Sequence, residues 1–230
     1  MNMLAVIPAR GGSKRLPRKN ILPFCGKPMF AWTLEAALQS QLFSQVLVST
    51  EDEEIAAATR QFGGNVVKRP LALAGDDASV AQVCRDILEQ EKSQGRTYDV
   101  ICCCYATAPL RTAEDICNTV ALLEKGVCDF SFAVTNYSHY PHQALRMDEK
   151  GFLNPLFPDL VRRRGADIGK VRAGNGSTYA AFVSEYLHCG DFYGDRMKGY
   201  EMPFLRSVDI DTQEDLDLAT AIAGHLNWHI

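Results

Sequence analysis

Apolar and polar residues alternate along the chain in blocks that predict strands and helices in turn. Residues Met3–Pro8 form a continuous apolar run, which predicts a buried strand, and helical spacing follows over 28–39. Further strands are predicted at Gln45–Thr50, Asn65–Lys68, 99–105 and Phe130–Thr135, with helices at 52–62, 79–94 and 113–125. Strands alternating with helices of this length predict an α/β fold with a mostly parallel sheet covered on both faces.

Residues 136–174 break this alternation, because they are rich in Tyr, Pro, His and Arg and too poor in apolar residues for another helix and strand. We interpret 136–174 as a small inserted subdomain within a single domain, with a hairpin around the polar turn 148–150. The α/β pattern then resumes with strand 177–183, a short helix after Ser184, strand 204–208 and a closing helix over 212–225.

Composition sets the class of protein. The chain has 230 residues, of which 47% are hydrophobic and 23% charged, enough for one domain with a sizeable core. No apolar run approaches the roughly 18 residues of a membrane span, and the N-terminus does not resemble a signal peptide. The eight cysteines contain no C-x-x-C pair, which favours small buried side chains in a reducing compartment over disulfides or a metal. We therefore expect a cytoplasmic protein with no membrane partner.

Charge is unevenly distributed along the chain. The formal net charge is −4, yet residues 1–34 contain six cations and no acid. These cations are Arg10, Lys14, Arg15, Arg18, Lys19 and Lys27. Proteins that bind nucleic acid usually carry a broader basic surface, so no nucleic-acid partner is expected.

The basic segment follows the first predicted strand, at the end of a parallel sheet where ligands bind. Gly11 and Gly12 allow backbone amides to approach an anion, and the five cations of residues 10–19 can neutralise a polyphosphate. The spacing matches neither the P-loop nor the dinucleotide fingerprint. A solvated basic loop is the alternative interpretation.

Three short segments carry a resemblance to a known family. IPARGGSKR at 7–15, PRKNI at 17–21 and GKPM at 26–29 resemble the opening motif of the N-acylneuraminate cytidylyltransferase (CMP-sialic acid synthetase) family, and the similarity extends along nearly the whole chain. It implies a three-layer, Rossmann-like nucleotidyltransferase fold, CTP as donor and a nine-carbon 2-keto sugar acid as acceptor. It also implies that Arg10, Lys19 and Asn20 contact the CTP. Gly11, Ser13 and Lys14, in the same motif, are further candidate substrate-binding residues. The family that activates the eight-carbon acid Kdo opens similarly but usually lacks the Lys-Asn pair.

A second motif, RPLALA at 69–74, resembles a family segment whose arginine lies near the nucleotide, here Arg69. The segment ends before Ser79, which is placed either to cap the next helix or to contact the ligand. Both roles for Ser79 remain open at this stage.

The third motif, YATAPLR at 105–111, resembles a family segment that reads QPTSPLR and contacts the sugar. Thr107 and Arg111 are kept, whereas Tyr105 replaces the Gln, which changes donor geometry and volume at the acceptor pocket. Pseudaminic or legionaminic acid therefore becomes an alternative acceptor. Arg111 has a second possible role, an ion pair with an acid in the following helix.

Two further motifs are weaker. The arginine triplet 162–164, with Arg163 at its centre, resembles an arginine pair that reaches the substrate across a dimer interface, although such a triplet is often solvated surface. This resemblance suggests a homodimer built through 136–174. The NGST sequence at 175–178 resembles a strand start in which Asn175 and Ser177 lie near the sugar, although Asn-Gly also forms simple turns.

The last motif is DIDTQED at 209–215. Asp209 and Asp211 are two residues apart, so an extended backbone turns both carboxylates to one side and Ile210 to the core. Two carboxylates beside phosphates suit Mg²⁺, which completes its shell with phosphate and water. The family's D-[IL]-D-T-x-x-D metal motif matches well. The alternative is that both acids cap the closing helix.

Together the motifs predict a cytidylyltransferase that joins a sialic-type nonulosonic acid to CTP and releases pyrophosphate. The catalytic residues would be Arg10, Lys19, Asp209 and Asp211, with Mg²⁺ assisting attack of the anomeric hydroxyl on the α-phosphate. Pseudaminic acid, legionaminic acid and Kdo are alternative acceptors. A non-catalytic nucleotide or nucleic-acid binding module is the alternative of another class, and binding to nucleic acid would weaken steeply with salt.

Overall fold

The computed structural model describes residues 1–137 and 139–228. The strands of this part of the chain are β1 (Met3–Pro8), β2 (Pro23–Phe24), β3 (Lys27–Pro28), β4 (Gln45–Thr50), β5 (Asn65–Lys68), β6 (Val100–Cys104), β7 (Phe130–Thr135), β8 (Leu145–Met147), β9 (Leu153–Pro155), β10 (Ala173–Phe182) and β11 (Met197–Glu201). The helices are α1 (Met29–Gln39), α2 (Glu53–Gln61), α3 (Val80–Ser93), α4 (Ala113–Val120), α5 (Gly165–Ile168), α6 (Val183–Cys189) and α7 (Gln213–His225). None of the helices in these residues is long and apolar enough to cross a membrane.

Seven strands form one sheet in the order β11-β7-β10-β6-β1-β4-β5. Strand β1 pairs in parallel with β4 and β6, so that Val6 lies opposite Leu47 on one side and Cys103 on the other. Strand β10 alone runs antiparallel to its neighbours, and β11 is again parallel to β7. The predicted mostly parallel sheet is confirmed.

Helices cover both faces of this sheet. Ala5 and Ile7 of β1 belong to a core cluster that also contains residues of α1, α2 and α4, whereas Leu4 and Val6 belong to a second cluster with residues of α3 and α6. Successive strand residues point to opposite faces, so a fully apolar strand serves both clusters. The three-layer arrangement follows from this alternation.

A third core cluster positions the functional loops. Leu16 and Phe24, from the long segment after β1, pack with Trp32 of α1, Ile210 and residues of α7. Ile210 is fully buried, and its backbone amide donates to the carbonyl oxygen of Thr107. The basic segment and the 209–211 segment are therefore anchored to the same apolar cluster.

The second half of the chain departs from the sequence predictions. The predicted strand 204–208 is wrong, because Phe204–Arg206 forms a 3₁₀ turn. The edge strand is instead β11, which lacks an apolar alternation because most of its residues are exposed. Pro203 follows β11 and has no amide hydrogen to continue the ladder.

Two predicted boundaries also moved. Helix α4 ends at Val120 rather than at 125. The residues after it form a turn that contains Gly126, which has a positive φ. Strand β10 begins at Ala173 rather than at 177, with an irregular register between Gly174 and Tyr179. Only the part after this irregularity was recognisable as a strand.

The segment 136–174 contains the predicted hairpin, with β8 and β9 antiparallel and Met147 opposite Leu153. Its apolar side chains are largely exposed, and both Met147 and Phe152 keep 67% of their surface accessible. The eight cysteines are all free thiols, five of them buried.

Candidate active site

A cleft of about 290 Å³ opens at the carboxyl ends of β1 and β6. It is bordered by the basic segment after β1, by residues that follow β5 and β6, and by the 209–211 segment. Eight of the residues predicted from the sequence line it: Arg10, Lys19, Asn20, Arg69, Tyr105, Thr107, Asp209 and Asp211. These residues come from four separate stretches of chain, which the parallel sheet brings to one edge.

The cations of the basic segment are paired with carboxylates from two sides. Arg10 and Lys14 contact Asp76 at 2.8 and 2.6 Å, while Arg15 and Lys19 contact Asp211 at 2.7 and 2.5 Å. These pairs join segments far apart in sequence. Because most of these groups are partly exposed, an incoming polyphosphate can exchange with the carboxylates at low cost.

The basic segment is also held by its own backbone contacts. Arg18 adopts a left-handed conformation with φ 54°, and a short 3₁₀ turn follows at Lys19–Ile21. The buried Asn20 side chain donates to the carbonyl oxygen of Arg10 at 2.8 Å. Asn20 therefore links the two ends of the basic segment beneath the cleft.

Asp209 and Asp211 lie on the same side of the chain, as the spacing predicts. Burial raises the pKa of Asp209, the Thr107 hydroxyl that donates to it opposes this shift, and the charge of Asp211 adds to it. Helix α7 is capped by Thr212 and Asp215, whose side chains bond each other's backbone amides. The cap of α7 is therefore formed by Thr212 and Asp215 and not by the side chains of Asp209 and Asp211.

Gly176 closes one wall behind these acids. Its φ is +66°, and a Cβ at this position would overlap the Asp209 side chain. The glycine of the Asn-Gly pair is thus required both by backbone conformation and by close approach. Asn175 itself is buried and donates to Ser207 Oγ at 3.0 Å, away from the cleft lining.

Arg69 and Tyr105 line the cleft with side chains that are held by contacts within the protein. Arg69 is 5% exposed and donates to the carbonyl oxygen of Ser49 at 3.0 Å, and burial lowers its pKa. The ring of Tyr105 lies 5.4 Å from that of Tyr179, and burial raises the pKa of its phenol. Both side chains are fixed before any ligand arrives.

Arg111 lies beneath the cleft and outside its lining. Its guanidinium is 1% exposed and donates to the backbone carbonyls of Ser177 and Tyr105 and to the Thr33 hydroxyl. The ion pair with the following helix does not form, because Asp115 bonds Arg206 instead. Arg111 and Ser177 thus tie β10 to the end of β6.

The remaining predicted residues also lie outside the cleft lining. Ser79 caps α3 in a reciprocal arrangement with Gln82, while its neighbours Ala78 and Val80 line the cleft. Arg163 is exposed in the 136–174 segment, and its carbonyl oxygen accepts from a ring nitrogen of the buried His142. Gly11, Ser13 and Lys14 belong to the basic segment but border the cleft from outside.

Three residues at or beside the cleft were not predicted as site residues from the sequence: Arg15, Glu51 and Asp76. Arg15 was identified only as one of the cations of the basic segment. Asp76 follows the RPLALA motif, where an acid gives no signal of pairing with Arg10 and Lys14. Glu51 accepts a hydrogen bond from the Gly11 amide at 2.8 Å, a contact between segments forty residues apart.

Comparison with known proteins agrees with this geometry. A family model described as cytidylyltransferase matches residues 4–224. The chain is 32% identical to the pseudaminic acid cytidylyltransferase of Campylobacter jejuni serotype O:2, over 95% of each chain. It is 34% identical to the CMP-N,N'-diacetyllegionaminic acid synthase of Legionella pneumophila, over 94% of this chain and 93% of that protein.

Two further proteins are similar to the chain, one in sequence and one in fold. The N-acylneuraminate cytidylyltransferase of Escherichia coli O18:K1:H7 is 34% identical over 98% of this chain, which spans 53% of that protein. A CMP:2-keto-3-deoxy-manno-octonic acid synthetase solved with CTP superposes with a TM-score of 0.68 at 18% identity, over 98% of this chain and 100% of that one. The matched residues, the identity over nearly full length and the fold agree, and the chain belongs to the cytidylyltransferase family.

Proposed function

We propose that the protein transfers the cytidylyl group of CTP to the anomeric hydroxyl of a nine-carbon 2-keto sugar acid and releases pyrophosphate. One observation carries this proposal: the cleft sets the basic segment, with Arg10 and Lys19, against the carboxylates of Asp209 and Asp211. Cations suited to a triphosphate thus lie beside two hard oxygen donors. The names of the near full-length relatives support the same acceptor class.

A specific observation favours pseudaminic or legionaminic acid over N-acylneuraminate as acceptor. Tyr105 stands where the sialic acid enzymes have Gln, and its ring packs with Tyr179 and, through it, Phe132. Pseudaminic and legionaminic acids are 9-deoxy sugars that end in a methyl group, whereas N-acylneuraminate ends in a hydroxyl. An aromatic wall suits the methyl group and offers fewer hydrogen-bond partners than an amide.

The residues of the cleft would act mainly by positioning and by neutralising charge. Arg10, Arg15 and Lys19 would exchange their carboxylate partners for phosphate oxygens when CTP binds. The anomeric oxygen then forms a bond to the α-phosphorus, the bond to the bridging oxygen breaks, and the hydroxyl proton is released. The cations balance the charge that builds up on the departing pyrophosphate.

The carboxylates of Asp209 and Asp211 fit a magnesium ion. They lie close enough that the charge of Asp211 contributes to raising the pKa of Asp209, after burial, and a cation between them would relieve this repulsion. No cluster of three metal-ligating side chains occurs among residues 1–137 and 139–228, so phosphate oxygens and water would complete the shell, as Mg²⁺ prefers. When bound there, the ion would supply charge neutralisation and acidify the attacking hydroxyl.

A coupled assay tests the function directly. The protein, Mg²⁺ and each nucleoside triphosphate in turn are incubated with pseudaminic, legionaminic, N-acylneuraminic or Kdo acid, and pyrophosphate release is measured. We expect release with CTP and the highest kcat/KM with a 9-deoxy nonulosonic acid. Release only with another triphosphate, or with none of the acids, would refute the proposal.

We also propose a homodimer that forms through the 136–174 segment in the cytoplasm. Exposed apolar side chains are concentrated there: Leu145, Met147, Phe152, Leu153, Leu156 and Phe157. A concentration of exposed apolar side chains is typical of a protein interface. Eight free thiols suit a reducing compartment. Sedimentation should give a dimer, and Phe152→Asp should shift it towards monomer; a monomeric wild type would refute this assignment.

A further inference from the structure

Glu51 is an acidic residue that lies against the basic segment, although a loop that binds anions is not expected to have a carboxylate beside it. It follows β4 at the same edge of the sheet as the cleft, and its Oε1 accepts a hydrogen bond from the Gly11 amide at 2.8 Å. Its Oε2 is buried and has no hydrogen-bond partner within the described part of the chain. An acid in this position repels phosphate, so its presence calls for a role other than binding the nucleotide directly.

The electrostatics connect Glu51 to the opposite wall of the cleft. Among residues 1–137 and 139–228 no carboxylate forms an ion pair with the buried Arg69, and burial lowers the pKa of its guanidinium. The Glu51 carboxylate is the strongest of the charges that oppose this shift, while Arg10 repels Arg69 and adds to it. Glu51 thus stabilises the charge of Arg69, whereas Arg10 is paired with Asp76.

The backbone at Gly11 shows how closely the basic segment is held. A Cβ at Gly11 would overlap the side chain of Asp52, the residue after Glu51. Asp52 in turn caps α2 and binds Arg18 at 3.0 Å. The start of the basic segment is therefore pressed against the rigid junction between β4 and α2, and the amide of Gly11 is committed to Glu51.

We propose that Glu51 is a positioning residue that fixes the Gly11 peptide at the start of the basic segment, and so sets the place of the triphosphate. The inference rests on the proposed binding of CTP in the cleft. Glu51 acts through this peptide and does not touch the nucleotide. Because bound phosphates are sensitive to displacements of about 1 Å, a loosened Gly11 peptide weakens binding even when all cations remain.

Two substitutions at Glu51 separate position from charge. Glu51→Ala removes both the acceptor for Gly11 and the charge beside Arg69, whereas Glu51→Gln keeps an acceptor oxygen in the same place. Titration with CTP and Mg²⁺, without any sugar acid, should show affinity lowered about 10-fold to 100-fold in Glu51→Ala. Most of that loss should be recovered in Glu51→Gln. Amide hydrogen exchange at Gly11 should be faster in Glu51→Ala only.

Glu53→Gln and Glu53→Ala are the matched controls, since Glu53 lies two residues on, in the first turn of α2, and is exposed. Both should bind CTP as the wild type does. Wild-type affinity in Glu51→Ala, or equal losses in Glu51→Gln and Glu51→Ala, would overturn the positioning role alone. Failure of the wild type to bind CTP would overturn the proposed function and this inference together. Glu51→Gln keeps the test valid if the alanine variant fails to fold.

Discussion

Two cavities lie at opposite ends of the sheet, and charged side chains from distant parts of the chain converge in the smaller one. The far cavity, lined by Leu88, Lys92, Arg96, Tyr98, Phe182 and Leu187 among others, measures about 670 Å³ against about 290 Å³ for the cleft. Much of its wall is apolar. Its lysines, Lys92 and Lys125, are exposed at the rim.

The ion pairs of the two regions differ in the segments that they join. In the far cavity Arg96 binds Glu91, five residues away in the chain, and Tyr98 donates to the same carboxylate. In the cleft Lys19 binds Asp211 across 192 residues of sequence. Local pairs reinforce the end of one helix, whereas the long-range pairs hold charges of both signs at one opening. Convergence of charge, rather than volume, distinguishes the end of the sheet that we propose binds the substrates.

The largest effect is expected at Asp209. Asp209→Asn keeps the oxygen that accepts from Thr107 and removes the charge, so kcat/KM should fall by about 10²–10³-fold, the usual loss when one charge-stabilising group is removed. Pyrophosphate release measures this loss. Asp217→Asn, at an exposed position on α7, is the control and should be neutral. A loss below tenfold at Asp209 would place the charge chemistry elsewhere in the cleft.

A smaller loss of kcat/KM is expected at Lys19. Comparison with Lys14 tests whether the more buried lysine of the basic segment contributes more to activity. The Lys19 side chain is 17% exposed, whereas that of Lys14 is 86% exposed. Lys19→Met should lower kcat/KM for CTP about 10-fold to 150-fold, since hydrogen bonds to charged groups contribute about 1.5–3 kcal/mol. Lys14→Met should cost less than about fivefold. Equal losses for both lysines would show that the burial of a lysine does not determine how much it contributes to kcat/KM.

The sequence predicted the sheet well, because its central strands have apolar residues on both faces and because α2, α3 and α4 begin at clear capping residues. Strand β11 was missed since it is an exposed edge strand with no apolar alternation. The 204–208 prediction failed for the converse reason: Phe204 and Val208 resemble a strand, but the backbone after Pro203 forms a 3₁₀ turn. Edge elements are set by tertiary pairing, which a local pattern does not encode.

The candidate site was predictable where a motif and a strand end coincide. Arg10 and Lys19 lie in the segment that follows β1, Asp209 and Asp211 lie just before α7, and the structure brings the four together. Arg111 and Asn175 belong to similar motifs, yet their side chains turn into the interior and bond backbone or core groups. Sequence spacing locates the segment, whereas the direction of one side chain depends on packing that only the fold supplies.

The smallest effect on activity is expected at Glu91, beside the far cavity. Its hydrogen bonds from Arg96, and then from Tyr98, hold its pKa below the usual value, and burial opposes this. Glu91→Gln should reduce the free energy of unfolding at pH 7 by about 1–2 kcal/mol, a value discounted for the exposed arginine. The lowered pKa means that the contribution is complete above the unfolded-state pKa of about 4.3 and is lost as the pH falls through the folded-state value.

Denaturant unfolding of wild type and Glu91→Gln at several pH values between neutral and acid checks this, and the difference in stability should shrink only in the acid range. Glu89→Gln, exposed on the same helix, is the control and should match the wild type throughout. Turnover of CTP should stay within about twofold in both variants, as for surface changes remote from a site. A tenfold loss of turnover in Glu91→Gln would contradict the separation of the two ends, because α3 would then couple the far cavity to the cleft that its first turn borders.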